Sequence, residues 1–214
     1  ERTLISGRSP FDRWYYAGEH DAMSAQAQRG FELFTGKAGC SSCHHLAEQW
    51  ALFTDNQLHN TGIGWLRSMR PEAASRRVQV APGRYIEVKQ TIIDSVASPK
   101  EGDLGRYEVT QDPADRWKYR TPSLRNIALT QTSMHDGSMP SLTAVVDFYN
   151  RGGAANETQS PRIRPLGLST AEQSALVAFM ESLTGDNVRE LVAEACPVPI
   201  RHRLRERAPT DLHR

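Results

Sequence analysis

Cys40-Ser41-Ser42-Cys43-His44 is the stretch on which the reading of this chain turns. Two cysteines at i and i+3, followed at once by a histidine, form the spacing by which a polypeptide attaches haem covalently. On one turn of helix both sulfurs reach the two vinyl groups of a single porphyrin as thioethers. His44 then turns its imidazole toward the iron from the proximal side. Two covalent bonds and an Fe–N bond hold a large apolar disc, which supplies core that the chain itself lacks. Other readings of a CxxC fit less well. A thioredoxin-type redox pair needs a βαβ setting, and none precedes Cys40. A structural zinc site needs two further ligands at paired spacing, which His45 and His59 do not offer. Those two histidines read as surface or loop residues.

Helical periodicity surrounds the motif. Ser24 caps an expected helix on which Ala27, Phe31 and Phe34 recur, ending at Gly36 just ahead of the cysteines. Ser141 caps a second, where Leu142, Val145, Val146 and Tyr149 fall at i, i+3, i+4 and i+7. That spacing predicts one buried stripe, closed by Gly152-Gly153. Ser169 and Glu172 form a capping-box pattern before Ala175, Leu176, Phe179, Met180 and Leu183. A short final helix is expected over 188–195. From Thr54 to Thr121 the chain is rich in Asn, Gly, Pro and charge and reads mostly as loop. The exception is a small hairpin running from Val78 and Val80 through Pro82-Gly83 to Tyr85, Ile86 and Val88. Loops this long usually wrap something. The expected fold class is all-α: a c-type cytochrome domain with long loops and one small β-hairpin. It is read as a single haem domain over 1–214, with the haem-binding core near 20–185 and a C-terminal helix and basic tail at 186–214.

Composition narrows the function classes. The 214 residues carry 26 Lys and Arg against 25 Asp and Glu, a net charge of +1, which disfavours a dedicated nucleic-acid binder. Only the tail, with Arg201, Arg203, Arg205, Arg207 and Arg214, is locally basic, and it reads as a solvated end. Mean hydropathy is −0.56 and no apolar run approaches the roughly 18–20 residues of a membrane span. Cys196 is the only other cysteine and reads as a semi-buried free thiol. Haem c is attached outside the cytoplasm, so a periplasmic location is expected. The N-terminus lacks a basic stretch followed by an apolar one, so either a signal has been removed or the chain starts inside a longer protein.

The residue on the other face of the iron sets the chemistry. Methionine raises the potential, a tyrosine phenolate lowers it, and an open position admits peroxide. The residues alone leave Met134, His135, Met139 and Tyr149 in contention. Met139 sits in a loop, as many cytochrome ligands do, while Tyr149 lies on an apolar helical face. Periodicity alone describes Tyr149 as a core tyrosine with a hydrogen-bonded hydroxyl.

Further motifs carry a resemblance. The runs Lys118-Tyr-Arg-Thr-Pro-Ser-Leu-Arg-Asn-Ile127, Met134-His-Asp-Gly137 and Val145-Val-Asp-Phe-Tyr-Asn-Arg-Gly-Gly153 resemble the bacterial di-haem cytochrome c peroxidase/MauG family. So do Pro165-Leu-Gly-Leu168, Leu183-Thr-Gly185, the opening SPFDRW and the RGFELFTGKAGCSSCH run. The resemblance covers nearly the whole chain but only the C-terminal haem domain of that family. It implies an oxidoreductase whose N-terminal haem domain, or a second haem-bearing chain, meets hydrogen peroxide while this half relays or stores oxidising equivalents. An electron-donor protein or a protein substrate is the further partner implied.

The resemblance also implies site residues. The distal ligand lies fourteen residues after the His of the HDG motif, and counting from His135 reaches Tyr149, the choice of MauG-like members, with Met139 as the alternative. A calcium ion between the two domains matches the backbone carbonyls of Thr130 and Thr132, where the family commonly has Pro at the second position. Arg120 and Arg125 are candidates to pair with haem propionates. The rival expectations are a stand-alone mono-haem electron carrier and a haem subunit of a larger redox complex.

Overall fold

The computed structural model describes residues 7–69, 75–81, 83–89, 91–92, 103–130, 132–188 and 190–191. Six helices matter here: α1 (Pro10–Tyr15), α2 (Ala25–Thr35), α3 (Ile63–Ser68), α4 (Tyr107–Thr110), α5 (Leu142–Asn150) and α6 (Thr170–Glu181). The longer three begin where their caps place them. The hydroxyls of Ser24, Ser141 and Ser169 accept from the backbone N–H groups of Ala27, Ala144 and Glu172. The short α1 escaped the sequence reading, although Ser9, Pro10 and Asp12 spell its start. Ser9 caps it, and the Asp12 carboxylate accepts from the Ser9 N–H at 2.9 Å.

Helices α2 and α6 pack side by side and form the centre of the domain. Gly30 lies at their closest approach, where a Cβ would collide with the Ala175 carbonyl, so the crossing depends on glycine. Around it a core of rings forms. Phe11 packs on Phe53 at 5.4 Å between centroids and on Phe179 at 5.7 Å, and Phe34 meets Phe179 at 4.9 Å. Phe11, Phe53, Phe179 and Leu183 have no exposed surface. Each such ring contributes about 1.5–3 kcal/mol by leaving water. A second, smaller cluster of Ile63, Phe148 and Ala154 takes in the half-buried Trp65, Met134, Met139 and Tyr149.

The expectation of an all-α fold with one small hairpin holds in part. The fold is mostly helical, but it contains two small antiparallel sheets among the described residues. One is the expected hairpin, β2 (Ser75–Ala81) with β3 (Arg84–Lys89), pairing Val78 with Ile86; Pro82 lies outside the described residues. The other joins β1 (Leu58–His59) to β4 (Tyr119–Arg120), tying the two ends of the long loop region together. The stripe on α5 also differs. Its buried residues are Val146 and Phe148, while Leu142, Val145 and Tyr149 are half-buried, because the helix divides its faces between the two clusters. Of the expected 188–195 helix, 188, 190 and 191 are helical; the rest, with Cys196 and the basic tail, lies outside the described residues. No helix among the described residues is long and apolar enough to cross a membrane.

Candidate functional site

The CxxCH segment leaves α2 through a left-handed residue, Gly39 at φ +63°, and winds into a short 3-10 turn over Cys40–Ser42. The Ser42 N–H donates to the Gly39 carbonyl at 3.1 Å, and the His44 N–H to the Cys40 carbonyl at 3.0 Å. A turn this tight presents two thiols and an imidazole together, and neither thiol is in a disulfide. Burial pushes the Cys40 thiol up to about 11.

His44 is oriented by backbone. Its Nδ1 lies 2.7 Å from the Phe53 carbonyl, which can only accept, so Nδ1 carries the proton and Nε2 keeps its lone pair for a metal. Burial lowers the imidazole's basicity, which favours the neutral, ligating form. Phe53 holds that carbonyl in place at some cost. It is fully buried in the ring core yet adopts φ +55°, a left-handed conformation that disfavours a bulky side chain.

Tyr149 projects from α5 into the second cluster. Burial raises its phenol pKa, and the Cys40 and Cys43 thiols add to the rise. No hydrogen bond to its hydroxyl occurs among the described residues. The residue is half-buried, so the hydroxyl is left free to bind a ligand. Met139 belongs to the same cluster, on a loop closed by mutual backbone bonds with Ser133 at 2.7 and 3.3 Å. Both distal candidates therefore stand on one side of the fold.

The other predicted residues are more dispersed. The His135 ring stacks on Tyr119 at 3.5 Å between centroids, and its Nε2 lies 3.9 Å from the Asp103 carboxylate. It buttresses the HDG loop against β4. Arg120 donates to Asn56 Oδ1 at 2.7 Å. Arg125 pairs bidentately with Asp12 at 2.7 and 2.8 Å, donates to the Ala51 carbonyl at 2.7 Å and stacks over Phe53. With its side chain only 11% exposed, this guanidinium is spent on the frame that holds the Phe53 carbonyl. Thr130 follows the 3-10 turn Ile127–Leu129, and position 131 lies outside the described residues. Thr132 lies against Gly137 of the HDG loop.

A polar group that the motifs did not announce lies beside Cys43. Asp55 and His59 are 2.8 Å apart, and their ligating atoms come within 4.8 Å of the Cys43 sulfur. Burial alone would raise the Asp55 carboxyl, but hydrogen bonds from His59, the Gln57 N–H and Thr121 outweigh it and hold the group at about 2. Arg162 Nη1 is 3.7 Å from both the Cys43 sulfur and the Asp55 carboxylate, so a cation already stands where a metal ion would. Nothing in the local sequence marks Arg162, which reaches this place from 119 residues downstream.

The donor set fits a haem: two free thiols on one turn, an imidazole with its outer nitrogen fixed as N–H, and an unbonded phenol. Relatives carry related names. The chain is 39% identical over 200 residues to a cytochrome-c peroxidase, IdrP2, of Denitromonas iodatirespirans, covering 92% of this chain and 49% of that protein. It is 36% identical over 189 residues to the methylamine utilization protein MauG of Methylorubrum extorquens, covering 87% and 42%. The crystal structure of a MauG-like protein associated with microbial copper homeostasis superposes with a TM-score of 0.59 at 28% identity, covering 84% of this chain and 49% of that one. No family model matches. The chain spans about half the length of the curated relatives it matches. With identity of this order sustained over nearly its whole length, the chain belongs to the bacterial cytochrome c peroxidase/MauG family.

Proposed function

We propose that this chain is the electron-transfer haem half of a peroxidase or MauG-like oxidoreductase. It would bind one haem c through Cys40 and Cys43, with His44 and Tyr149 as axial ligands. Bound there, the haem supplies a one-electron redox centre. The chain's own residues determine what that centre can do. The Phe53 carbonyl keeps the proton on His44 Nδ1 and the lone pair on Nε2. As a ligand Tyr149 would give up its hydroxyl proton, and burial makes that loss unfavourable unless a metal's positive charge takes its place. The single observation carrying this reading is the tight Cys40–Ser42 turn, with both thiols out of disulfides and His44 Nδ1 held 2.7 Å from the Phe53 carbonyl. With His44 and Tyr149 both holding the iron, no position would be left for peroxide. This half therefore relays or stores oxidising equivalents that a second haem domain draws from hydrogen peroxide, in the periplasm, and passes them to a protein partner. The calcium implied by the resemblance falls to the Thr130 and Thr132 carbonyls, where oxygen ligands suit a hard cation.

The haem-loaded chain alone should turn over hydrogen peroxide poorly. Addition of the N-terminal haem domain of a full-length relative should restore turnover, with calcium promoting the docking. Steady-state oxidation of a reduced cytochrome measures this directly. Rapid turnover by the chain alone would make its own haem the reactive one. A six-coordinate haem that stays inert with the added domain would favour a stand-alone electron carrier.

A further inference from the structure

Arg162 is placed with more care than an ordinary surface arginine. It lies in the connection between α5 and α6, and that connection is pinned to the β1 end by Asn60, which is 1% exposed. The Asn60 side-chain amide donates to Asn156 Oδ1 at 2.8 Å and to Thr158 Oγ1 at 3.0 Å, and the Asn60 backbone carbonyl accepts the Ser160 N–H at 2.9 Å. The Ile163 N–H returns to the Ser160 carbonyl at 2.9 Å, closing a turn with Arg162 on it. From there Nη1 donates to the Ser42 carbonyl, inside the CxxC turn itself.

The same nitrogen faces a buried negative charge. The Asp55 side chain is 2% exposed, and its carboxylate lies within 4.8 Å of the Cys43 sulfur, beside the haem-attachment turn. A fixed anion beside a haem favours the ferric over the ferrous state, and a cation in contact with that anion offsets it. Building on the haem reading above, we propose that Arg162 is a positioning residue that locks the CxxC turn through Ser42 and balances Asp55, and so sets the reduction potential of the haem. Its guanidinium is 48% exposed, so solvent screens part of its charge. The shift it causes is smaller than that of exchanging an axial ligand.

The test is spectroelectrochemical titration of the haem-loaded full chain at low ionic strength. The series is wild type, Arg162→Gln, Arg162→Lys, Asp55→Asn and the Arg162→Gln/Asp55→Asn double variant. Arg162→Gln should lower the potential, Asp55→Asn should raise it, and the double variant should return close to wild type. Arg162→Lys should stay close to wild type, since it keeps the charge. A merely structural role predicts a different pattern, with Arg162→Gln and Asp55→Asn shifting in the same direction, and that result would overturn the proposal. An unmoved potential in Arg162→Gln with haem retained would overturn it equally. Should Arg162→Gln fail to hold haem, Asp55→Asn and Arg162→Lys decide, and a wild-type potential in Asp55→Asn is the overturning result. Intact mass on each sample separates the two failures. A wild-type chain without covalent haem removes the haem reading and this inference together, whereas a haem-bearing series with unmoved potentials removes only this inference.

Discussion

Tyr149→Phe should open a coordination position on the haem iron and change the ferric spin state, while Met139→Leu should change neither. The substitution removes one oxygen and leaves the ring that packs with Ile63, Phe148 and Ala154, so the fold is retained. No hydrogen bond is broken among the described residues, which separates this change from an ordinary tyrosine deletion in a core. A phenolate neutralises ferric charge, so its loss should also raise the reduction potential. Visible and electron paramagnetic resonance spectra of the ferric protein read both effects. A spectral change in the methionine variant, with none in the tyrosine variant, would reassign the ligand and move the protein toward ordinary high-potential cytochromes.

The Cys40→Ala/Cys43→Ala double variant should lose its haem on denaturation and most of its visible absorbance before it. His44 alone is left to hold the disc, and a single imidazole bond exchanges with solvent. The loss should extend to stability, because Cys40 packs against the main ring core and a disc attached there would add to that packing. Removing a buried aromatic side chain typically costs about 3–5 kcal/mol, and a lost haem should cost at least as much. Thermal unfolding followed by circular dichroism, together with haem staining after denaturing electrophoresis, measures both parts.

Local chemistry made much of this molecule legible in the sequence. Ser24, Ser141 and Ser169 cap helices within a residue of where their side chains place them, because capping is a contact over three residues. The CxxCH turn is legible for the same reason. Asp12 three residues after Ser9 is an equally local signal for the start of α1. Phe148 was missed because the stripe on α5 assumed one buried face, whereas the helix serves two clusters.

What could not be read is long-range or lies in the backbone. His44 is oriented by a carbonyl, and a carbonyl carries no residue signature. The two-residue pairing of Leu58–His59 with Tyr119–Arg120 joins segments some sixty residues apart, with too few positions to show alternation. Arg162 meets Cys43 only once the α5–α6 connection is folded onto Asn60. Arg125 looked available for a propionate in the sequence, because nothing there showed that Asp12 and Ala51 would take up its donors.

One measurement bears most directly on the central claim, that Cys40 and Cys43 hold a haem on this chain. It is the intact mass of the wild-type protein, produced in a host that attaches haem c and then fully denatured. The predicted result is the polypeptide plus one haem, with a single peptide spanning Cys40 to His44 carrying all of the added mass. A mass equal to the bare chain, or a bound zinc in place of haem, would contradict it.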